Sequence, residues 1–401
     1  MSRSTKKRID VCFLNTRFFP VGGTAIRTLN FAKAIKDRAD KVRIITWQPS
    51  NESVGLGNAS NIATEGVAID IIQIKHHFLK KHLRFLYLFA LGLEYFFFVR
   101  KNIKVRNPDI IHCGNETFWM SILLKRFVKR PIIADIHDLH TISIVNVLDV
   151  LPHKAAGLSR FLSRTALRMA NNSVDMFLCP TEELRSFLIS SGISSEKVKA
   201  IANAMSTPQI DIVKSRARVR TALGLPDETT VVAFHGVLNT SYNLDAITCL
   251  GKISKIVNNR LKDRVKFIVI GYFDSLPVHD ESFIYTGYVE NLFEYLSAAD
   301  FAVIPIFENS LGIRSRLLDY FLLSIPVITT PVGVTGMKFA QESGAVIVRN
   351  NTEELAESTI RLASSKRDLK AMAQRSADLI KWFSPDKIAN DLMSIYLQVT
   401  A

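Results

Sequence analysis

The sequence predicts an α/β protein of two Rossmann-like, doubly wound parallel-sheet domains that face each other across a cleft. Short apolar runs alternate with stretches of helical periodicity along both halves of the 401-residue chain. Runs such as 131–136 are almost wholly apolar, which is typical of parallel strands covered by helices on both sides. We therefore expect one domain at 1–206, a second at 207–380 and a terminal helical segment at 381–401.

The composition is that of an ordinary folded protein with a strong positive charge. Apolar residues make up 48% of the chain and charged residues 22%. The apolar run near the N-terminus is too short for a signal peptide. Four scattered cysteines lack zinc-site spacing and predict free thiols in a reducing cytosol: Cys12, Cys113, Cys179 and Cys249. The net charge of +14 predicts attraction to nucleic acid, anionic lipid or a phosphorylated substrate.

The first half opens with a strand, a glycine pair and a helix. Residues 9–14 are predicted to form a parallel strand, Gly22 and Gly23 follow in a loop, and 26–35 have helical periodicity. Glycine allows the backbone to approach a phosphate closely at the start of a helix. On its own, however, a Gly-Gly pair is more often a simple turn.

A histidine ends one of the following apolar runs. Further strands are predicted at 42–47, 68–74, 108–112 and 131–136. The last of these is followed by His137 and Asp138, at the sheet edge where ligands bind in open parallel sheets. His137 is therefore a candidate site residue, although a hydrogen-bonded structural histidine is the more common explanation of such a position.

The segment 75–106 has the most unusual composition in the chain. Its apolar part, 83–99, is interrupted by Arg84 and Glu94, and seven further lysines and arginines flank it. At about 1.5 Å per residue that part reaches only about 25 Å, short of a hydrocarbon core of about 30 Å, so a membrane span is the least favoured interpretation. Two others stay open: a core helix with a solvated basic rim, and an interfacial helix whose basic residues contact lipid phosphates.

The stretch 304–337 in the second half carries the strongest candidate site. It is predicted to form a strand, a loop, a helix and a second strand, with Arg314, Arg316 and Asp319 at the opening of the helix. A helix N-terminus binds anions through its free N–H groups and dipole, and two guanidinium groups strengthen that attraction. For the charges alone, a solvated first turn with an Asp–Arg pair is the simpler interpretation.

Several short motifs, in chain order, resemble one enzyme family. G-I-R-S-R-L-L-D-Y at 312–320 and S-I-P-V-I-T-T-P-V-G-V-T-G at 324–336 resemble the donor-binding segment of retaining glycosyltransferases of GT-B fold in family 4. V-K-A-I-A-N at 198–203 is similar to the V-x-x-I-P-N-G strand of that family, and G-V-L-N-T-S-Y-N-L-D at 236–245 is similar to its bacterial polysaccharide branch. The resemblance spans nearly the whole chain.

The family resemblance implies a role for each motif. The first domain would bind the acceptor and the second the nucleotide sugar, and residues 381–401 would cross back to the first domain. The implied donor-binding residues are Gly22, Gly23, Asn203, Gly236, Gly287, Tyr288, Gly312, Arg314, Arg316 and Asp319. His137 would lie beside the reacting sugar, and Asp319 would take the place of the second conserved glutamate, so both are the implied catalytic residues. No metal or other cofactor is implied, because helix N-termini and basic side chains would stabilise the leaving diphosphate.

The chain departs from the family pattern at several positions, among them Ser324, which stands where the family has a glycine. The first of the two family glutamates would fall at Leu311, which cannot replace it. Val237 and Tyr242 stand where an arginine and a lysine usually hold the diphosphate. We expect Arg314 and Arg316 to compensate for the missing positive charge.

The resemblance favours transfer of a glycosyl unit from a nucleotide-diphosphate sugar to a hydroxyl acceptor, lipid-linked or polysaccharide, with retention. One alternative is a nucleotide-sugar epimerase of the same architecture, which would isomerise its substrate without an acceptor. Another is a non-catalytic binding protein, which Leu311 and Val237 favour.

The expected partners are a nucleotide sugar, a glycan or lipid-linked acceptor and an anionic membrane surface, and nucleic acid is not expected because the basic residues do not form a recognisable module. We expect a cytoplasmic protein, peripheral on the inner face of a bacterial cell membrane.

Overall fold

The computed structural model describes residues 9–15, 23–49, 67–74, 84–118, 120–137, 164–165, 167–275, 278–307 and 315–401. It divides the chain into two compact units, one of Met1–Ala204 with Phe383–Ala401 and one of Met205–Trp382. Each unit contains one parallel β-sheet and its helices, which confirms the predicted class of two Rossmann-like α/β domains.

The sheet of the first unit has seven parallel strands. They are β1 (Asp10–Leu14), β2 (Lys41–Pro49), β3 (Ala68–Ile74), β4 (Ile110–Cys113), β5 (Ile132–Asp135), β6 (Met176–Cys179) and β7 (Val198–Ala200). Their order is β3-β2-β1-β4-β5-β6-β7. The order reverses direction between β1 and β4, and at such a point the carboxyl ends of the strands leave a crevice that is open to a ligand.

The helices of this part of the chain cover both faces of the sheet. Those with described bounds are α1 (Gly23–Ile35), α2 (Arg84–Arg106), α3 (Met120–Leu124) and α4 (Glu182–Ser190), with 3-10 turns at Asn115–Thr117 and Ser195–Lys197. Helix α2 buries Tyr95, Val99 and Ile103 against the strands. The hydroxyl of Tyr95 donates to the carbonyl oxygens of Asn15 and Ile45, at 2.7 and 3.0 Å, and so fixes the helix over the end of β1 and the middle of β2.

The sheet of the second unit has six parallel strands. They are β8 (Thr230–His235), β9 (Val265–Ile270), β10 (Phe283–Gly287), β11 (Phe301–Ile304), β12 (Val327–Thr329) and β13 (Val346–Val348), in the order β10-β9-β8-β11-β12-β13. Its described helices are α5 (Ile212–Ala222), α6 (Ser241–Leu261), α7 (Leu292–Leu296), α8 (Ser315–Leu322), α9 (Lys338–Glu342), α10 (Thr352–Ala363) and α11 (Lys366–Ile380).

The turn between α8 and β12 shows why the family pattern has a glycine at position 324. The φ of Ser324 is 57°, which lies in the left-handed region. Glycine adopts this conformation freely, whereas serine is strained there.

A 3-10 turn (Lys381–Phe383) and the last helix, α12 (Pro385–Thr400), follow the second unit in sequence, and the helix packs in the first unit. Its apolar face, including Ile388, Leu392 and Tyr396, is buried in one cluster with α1 and the strands. The hydroxyl of Tyr396 lies 2.7 Å from Nδ1 of His112 in β4. Burial raises the pKa of Tyr396, so the hydroxyl stays protonated beside the neutral imidazole.

The segment 75–106 forms a helix only from Arg84 onward in the described part of the chain. Among the described residues, no helix is long and apolar enough to cross a membrane. The four cysteines are free and buried, as the sequence predicts. Burial raises the pKa of the Cys12 thiol to about 12, which leaves it unreactive.

We predict that stability falls with acid in a window set by His112. Burial lowers the pKa of His112 to about 4, whereas an unfolded histidine titrates near about 6.5. The stabilisation is therefore fully present above about pH 6.5 and is lost as the pH falls toward 4, because only the unfolded chain takes up the proton. Between about pH 7 and pH 5 the free energy of unfolding should fall by about 2 kcal/mol more in the wild type than in His112→Asn, measured by urea unfolding. Equal falls in the two proteins would contradict the assignment.

Candidate functional site

A buried arginine organises the carboxyl edge of the first sheet. Arg27, in α1, is 2% exposed. Its Nε and Nη2 donate to the two carboxylate oxygens of Asp135 at 2.7 and 2.9 Å. Nη2 also donates to the carbonyl oxygen of Ile201 at 2.9 Å, and Nη1 donates to Oδ1 of Asn203 at 2.5 Å. The guanidinium lies 4.2 Å from the ring centre of Phe31. One side chain thus ties together α1, the end of β5 and the chain after β7.

The Arg27–Asp135 pair stays ionised although it is buried. Burial by itself raises the pKa of Asp135, but the guanidinium of Arg27, together with His137 and His112, outweighs burial and lowers the pKa overall. Bidentate geometry and further hydrogen bonds are the conditions under which a buried ion pair offsets its desolvation. The pair is therefore a rigid support for the residues around it.

His137 lies directly beyond this support. It follows β5 by two residues and is half-buried. Its backbone N–H donates to Oδ1 of Asn115, which follows β4, at 2.9 Å. The neighbouring strand end therefore fixes the backbone from which the imidazole projects. Asp138 lies outside the described residues.

Gly23 and Asn203 lie at the same edge. Gly23 is the first residue of α1, one helical turn before Arg27, whereas Gly22 lies outside the described residues. Asn203 is held by the same guanidinium that holds Asp135. The structure therefore brings three of the predicted positions of the first domain together: Gly23, His137 and Asn203.

Three glycines line the carboxyl edge of the second sheet. Gly236 follows β8, Gly271 follows β9 and Gly287 ends β10, with φ values of 153°, 142° and 68°. The Gly236 N–H donates to the Ile270 carbonyl, and the Gly271 N–H donates to the Gly287 carbonyl, both at 3.0 Å. A Cβ on Gly271 would lie 2.0 Å from the Gly236 carbonyl oxygen, so only glycine fits. Tyr288 follows and is 76% exposed.

A histidine and a carboxylate form a pair behind this edge. His235, the last residue of β8, is buried, and its Nε2 lies 3.1 Å from Oδ2 of Asp319 in α8. Burial lowers the pKa of His235 more than its hydrogen bond to Asp319 raises it. The imidazole is therefore neutral and donates Nε2–H to the carboxylate. The Asp319 side chain keeps 22% exposure, so it can still accept hydrogen bonds from a ligand.

Arg316 lies over the first of these glycines. Its Nη2 donates to Oδ1 of Asn243 at 2.8 Å, and the guanidinium lies 4.4 Å from the ring centre of Phe234. Asn243 in turn donates through Nδ2 to the Val237 carbonyl at 2.7 Å. A Cβ on Gly236 would lie 2.2 Å from Nη2 of Arg316. The glycine therefore makes room for the guanidinium at the end of β8.

Part of the predicted donor segment lies outside the described residues, including Leu311, Gly312 and Arg314. Arg316 is the second residue of α8, so the predicted position at the opening of a helix is confirmed for this arginine.

Sequence reasoning missed residues that act through distant partners. They are Arg27, Asp135, His235, Asn243 and Gly271. A charged residue inside the apolar helix pattern at 26–35 is the one signal that could have drawn attention to Arg27. No local pattern singles out His235, because its partner Asp319 is 84 positions away.

The second edge combines groups that suit a phosphorylated sugar compound. Arg316 and the N–H groups at the start of α8 suit an anion, and the Asp319 carboxylate suits hydroxyl groups. Within the described ranges, no cluster of three or more His, Cys, Asp or Glu side chains could hold a metal ion.

Comparison with known families matches both halves of the chain. Residues 21–208 match the model of Glycosyltransferase Family 4, and residues 229–365 match the model of Glycosyl transferases group 1. A curated relative from Bacillus subtilis (strain 168), the glycosyltransferase TuaC, whose name refers to teichuronic acid biosynthesis, is 24% identical over 270 residues. That alignment covers 66% of this chain and 64% of the relative, which is less than two thirds of the relative's length.

Solved glycosyltransferase structures share the fold along nearly the whole chain. Anabaena Alr3699/HepE in complex with UDP-glucose superposes with a TM-score of 0.69 at 14% identity, covering 98% of this chain and 100% of that one. WaaG, a glycosyltransferase involved in lipopolysaccharide biosynthesis, gives 0.65 at 16% identity, covering 96% and 99%. A mutant of S. aureus TarM in complex with Fondaparinux, alpha-GlcNAc-glycerol and UDP gives 0.65 at 10% identity, covering 97% and 99%. At these low identities, the superpositions establish likeness of fold alone.

We predict that Gly236→Ala destabilises the second unit through Arg316. The new Cβ would displace the guanidinium from Asn243, and the positive φ adds backbone strain, so the loss should be about 3 kcal/mol. Gly224→Ala is the matched control, because Gly224 has a φ of 64° but nothing lies within 4 Å of an added Cβ. That control should lose only about 1 kcal/mol through strain. Equal losses in urea unfolding would show that Arg316 does not depend on the glycine.

Proposed function

We propose that this chain, a family 4-like glycosyltransferase with two Rossmann-like domains, moves a glycosyl unit from a nucleotide-diphosphate sugar to a hydroxyl acceptor with retention of configuration. The observation that carries the proposal is the edge of the second sheet, where Arg316 lies over Gly236 beside the His235–Asp319 pair. This edge offers positive charge, close backbone approach and a hydroxyl acceptor within one unit. UDP and UDP-glucose are bound in structures of Anabaena HepE, which supports a donor of this class.

Arg316 is proposed to hold the donor diphosphate. Its Cζ is fixed by Phe234 and its Nη2 by Asn243, so the guanidinium is preorganised and little side-chain entropy is lost on binding. A fixed cation near the helix N-terminus stabilises the charge that develops on the leaving diphosphate. Gly312 and Arg314 are proposed to complete this contact, and we propose that no metal ion takes part.

Asp319 is proposed to accept hydrogen bonds from sugar or ribose hydroxyls. The neutral His235 donates to Oδ2, which holds the carboxylate in one orientation. Gly287 and Tyr288 are proposed to contact the nucleotide base, and the exposed ring of Tyr288 has a free face for stacking.

In the first unit, His137 is proposed to lie beside the reacting sugar, with Gly22, Gly23 and Asn203 near the diphosphate. The acceptor hydroxyl forms the new bond to the anomeric carbon while the bond from that carbon to the diphosphate breaks. The electron pair goes to the diphosphate oxygen, which also takes the hydroxyl proton on the same face, so the configuration is retained. This scheme needs no second carboxylate nucleophile, in contrast to retaining glycoside hydrolases.

The acceptor is proposed to be a glycan or a lipid-linked glycan. The similarity to TuaC, WaaG and TarM supports this class through the polymers and ligands in their names. We further propose a cytoplasmic location, peripheral on the inner face of a bacterial cell membrane, which the net charge of +14 favours.

We predict that the nucleotide binds without a metal ion and that removal of Arg316 weakens this binding. In buffer with EDTA, a panel of nucleoside diphosphates should include one that raises the melting temperature of the wild type. Arg316→Ala should bind it roughly 10- to 100-fold more weakly, since a charge-assisted contact contributes about 1.5–3 kcal/mol. The exposed Arg367→Ala is the matched control and should bind as the wild type does. Equal affinity of Arg316→Ala and wild type, or binding only after Mg²⁺ is added, would contradict the assignment.

His137 should support the reaction and not the fold. His137→Ala should lower kcat by roughly two or more decades with little change in melting temperature, because a group beside the reacting sugar acts on the transition state. The exposed His279→Ala serves as control and should leave kcat unchanged. A large loss of stability with normal specific activity would indicate that His137 is structural.

A further inference from the structure

Helix α2 presents an exposed stripe opposite its buried face. Tyr95, Phe96, Val99 and Ile103 are buried. Leu93, Phe97, Arg100, Lys101 and Lys104, spaced along the opposite side of the helix, are all exposed. Leu93 is 42% and Phe97 58% exposed, so the stripe combines an apolar part with three cations.

The carboxyl end of α2 also forms one wall of a groove of about 560 Å³. Residues 127–130, which precede β5, form the opposite wall. Four cations line the groove, together with an aromatic ring and an amide: Arg100, Lys104, Lys129, Arg130, Phe127 and Asn107.

The positive charge of the groove is poorly compensated. Among the described residues, Arg100, Lys104 and Lys129 have no carboxylate within ion-pair distance. Arg130 approaches Asp109 only at 3.8 Å, with both side chains about one third exposed. Like charges gathered around a concave surface repel one another, and an anion held between them removes that repulsion.

Exposed aromatic rings join the groove to the stripe on α2. The guanidinium of Arg100 lies 4.4 Å from the ring centre of Phe127, which is 54% exposed. Phe96 contacts both Phe97 and Phe127, with ring centres 5.7 and 6.0 Å apart. The two exposed rings of Phe97 and Phe127 are thus joined through the buried ring of Phe96. Together with Leu93, one turn before Phe97, and the four groove cations, they are here called the α2 face.

The α2 face is separate from the proposed reaction site. Asn107 precedes β4 and Arg130 precedes β5, so the groove lies at the amino ends of these strands. Arg27 and His137 lie at the carboxyl edge of the same sheet. A phosphorylated substrate in the groove would be on the wrong side of the sheet to react there.

We propose that the α2 face rests on an anionic lipid surface, with lipid headgroup phosphates in the groove and Phe97 and Phe127 at the headgroup boundary. The inference rests on the proposed membrane location and names its contact surface. A lipid surface satisfies both parts of the face, because phosphates pair with the cations while aromatic rings enter the interface. A free phosphate would explain the cations but not the exposed phenylalanines and leucine beside them.

The test is co-sedimentation of the full chain with vesicles at low salt. Vesicles of phosphatidylglycerol and phosphatidylcholine should bind the wild type strongly, and vesicles of phosphatidylcholine alone should bind it weakly. The double variant Lys104→Gln/Lys129→Gln should bind the anionic vesicles roughly thirtyfold more weakly, with an unchanged melting temperature. The matched control, Lys366→Gln/Lys370→Gln, removes the same charge from exposed positions on α11 and should bind like the wild type.

Each other outcome overturns the proposal in a distinguishable way. Equal binding of the wild type and the groove variant would contradict the α2 face as the contact surface, but it would not contradict the membrane location. Equal loss in the groove and control variants would show that net charge alone drives binding. No binding of the wild type to anionic vesicles would overturn the location as well, and glycosyl transfer to a water-soluble acceptor would then be measured separately. Loss of binding to an RNA oligonucleotide without loss of binding to vesicles would assign the groove to nucleic acid.

Discussion

The buried pair of Arg27 and Asp135 is the interaction on which the first unit's site depends. It connects a helix, a strand end and a loop that are far apart in the sequence. The removal of one partner leaves an uncompensated charge in a buried environment, which typically costs about 3–5 kcal/mol. The Arg27 guanidinium donates hydrogen bonds both to the end of β5 and to the chain after β7. The pair therefore fixes one arrangement of Gly23, His137 and Asn203. This is a stronger constraint than apolar packing alone, which tolerates small shifts.

In the second unit, glycines and one neutral histidine position the site residues. Parallel strands bring their carboxyl ends to one edge, and three glycines keep side chains away from that edge. Arg316 and Asp319 come from the same helix and approach the end of β8, where Asn243 and His235 hold them. The charged groups are thereby preorganised, which is the condition for electrostatic stabilisation of a leaving group.

The sequence predicted local elements well and long-range contacts poorly. The bounds predicted for β3, 68–74, are those of the structure, since the apolar run ends sharply at a lysine. The role of Arg27 could not be predicted, since it depends on the strand order that places β5 beside the first helix. The roles of His137, Asp319 and the other site residues stay predictions.

The central claim is glycosyl transfer, and an NMR time course with a ¹³C-labelled nucleotide sugar tests it most directly. With a hydroxyl acceptor present, the label should appear in a new glycosidic linkage with the anomeric configuration of the donor, and the nucleoside diphosphate should be released in equal amount. Without an acceptor, the labelled sugar should keep its stereochemistry. A change in the configuration of the sugar without an acceptor would indicate an epimerase. A donor that binds but is never consumed, with glycan acceptors present, would indicate a binding protein, and either result would contradict the account.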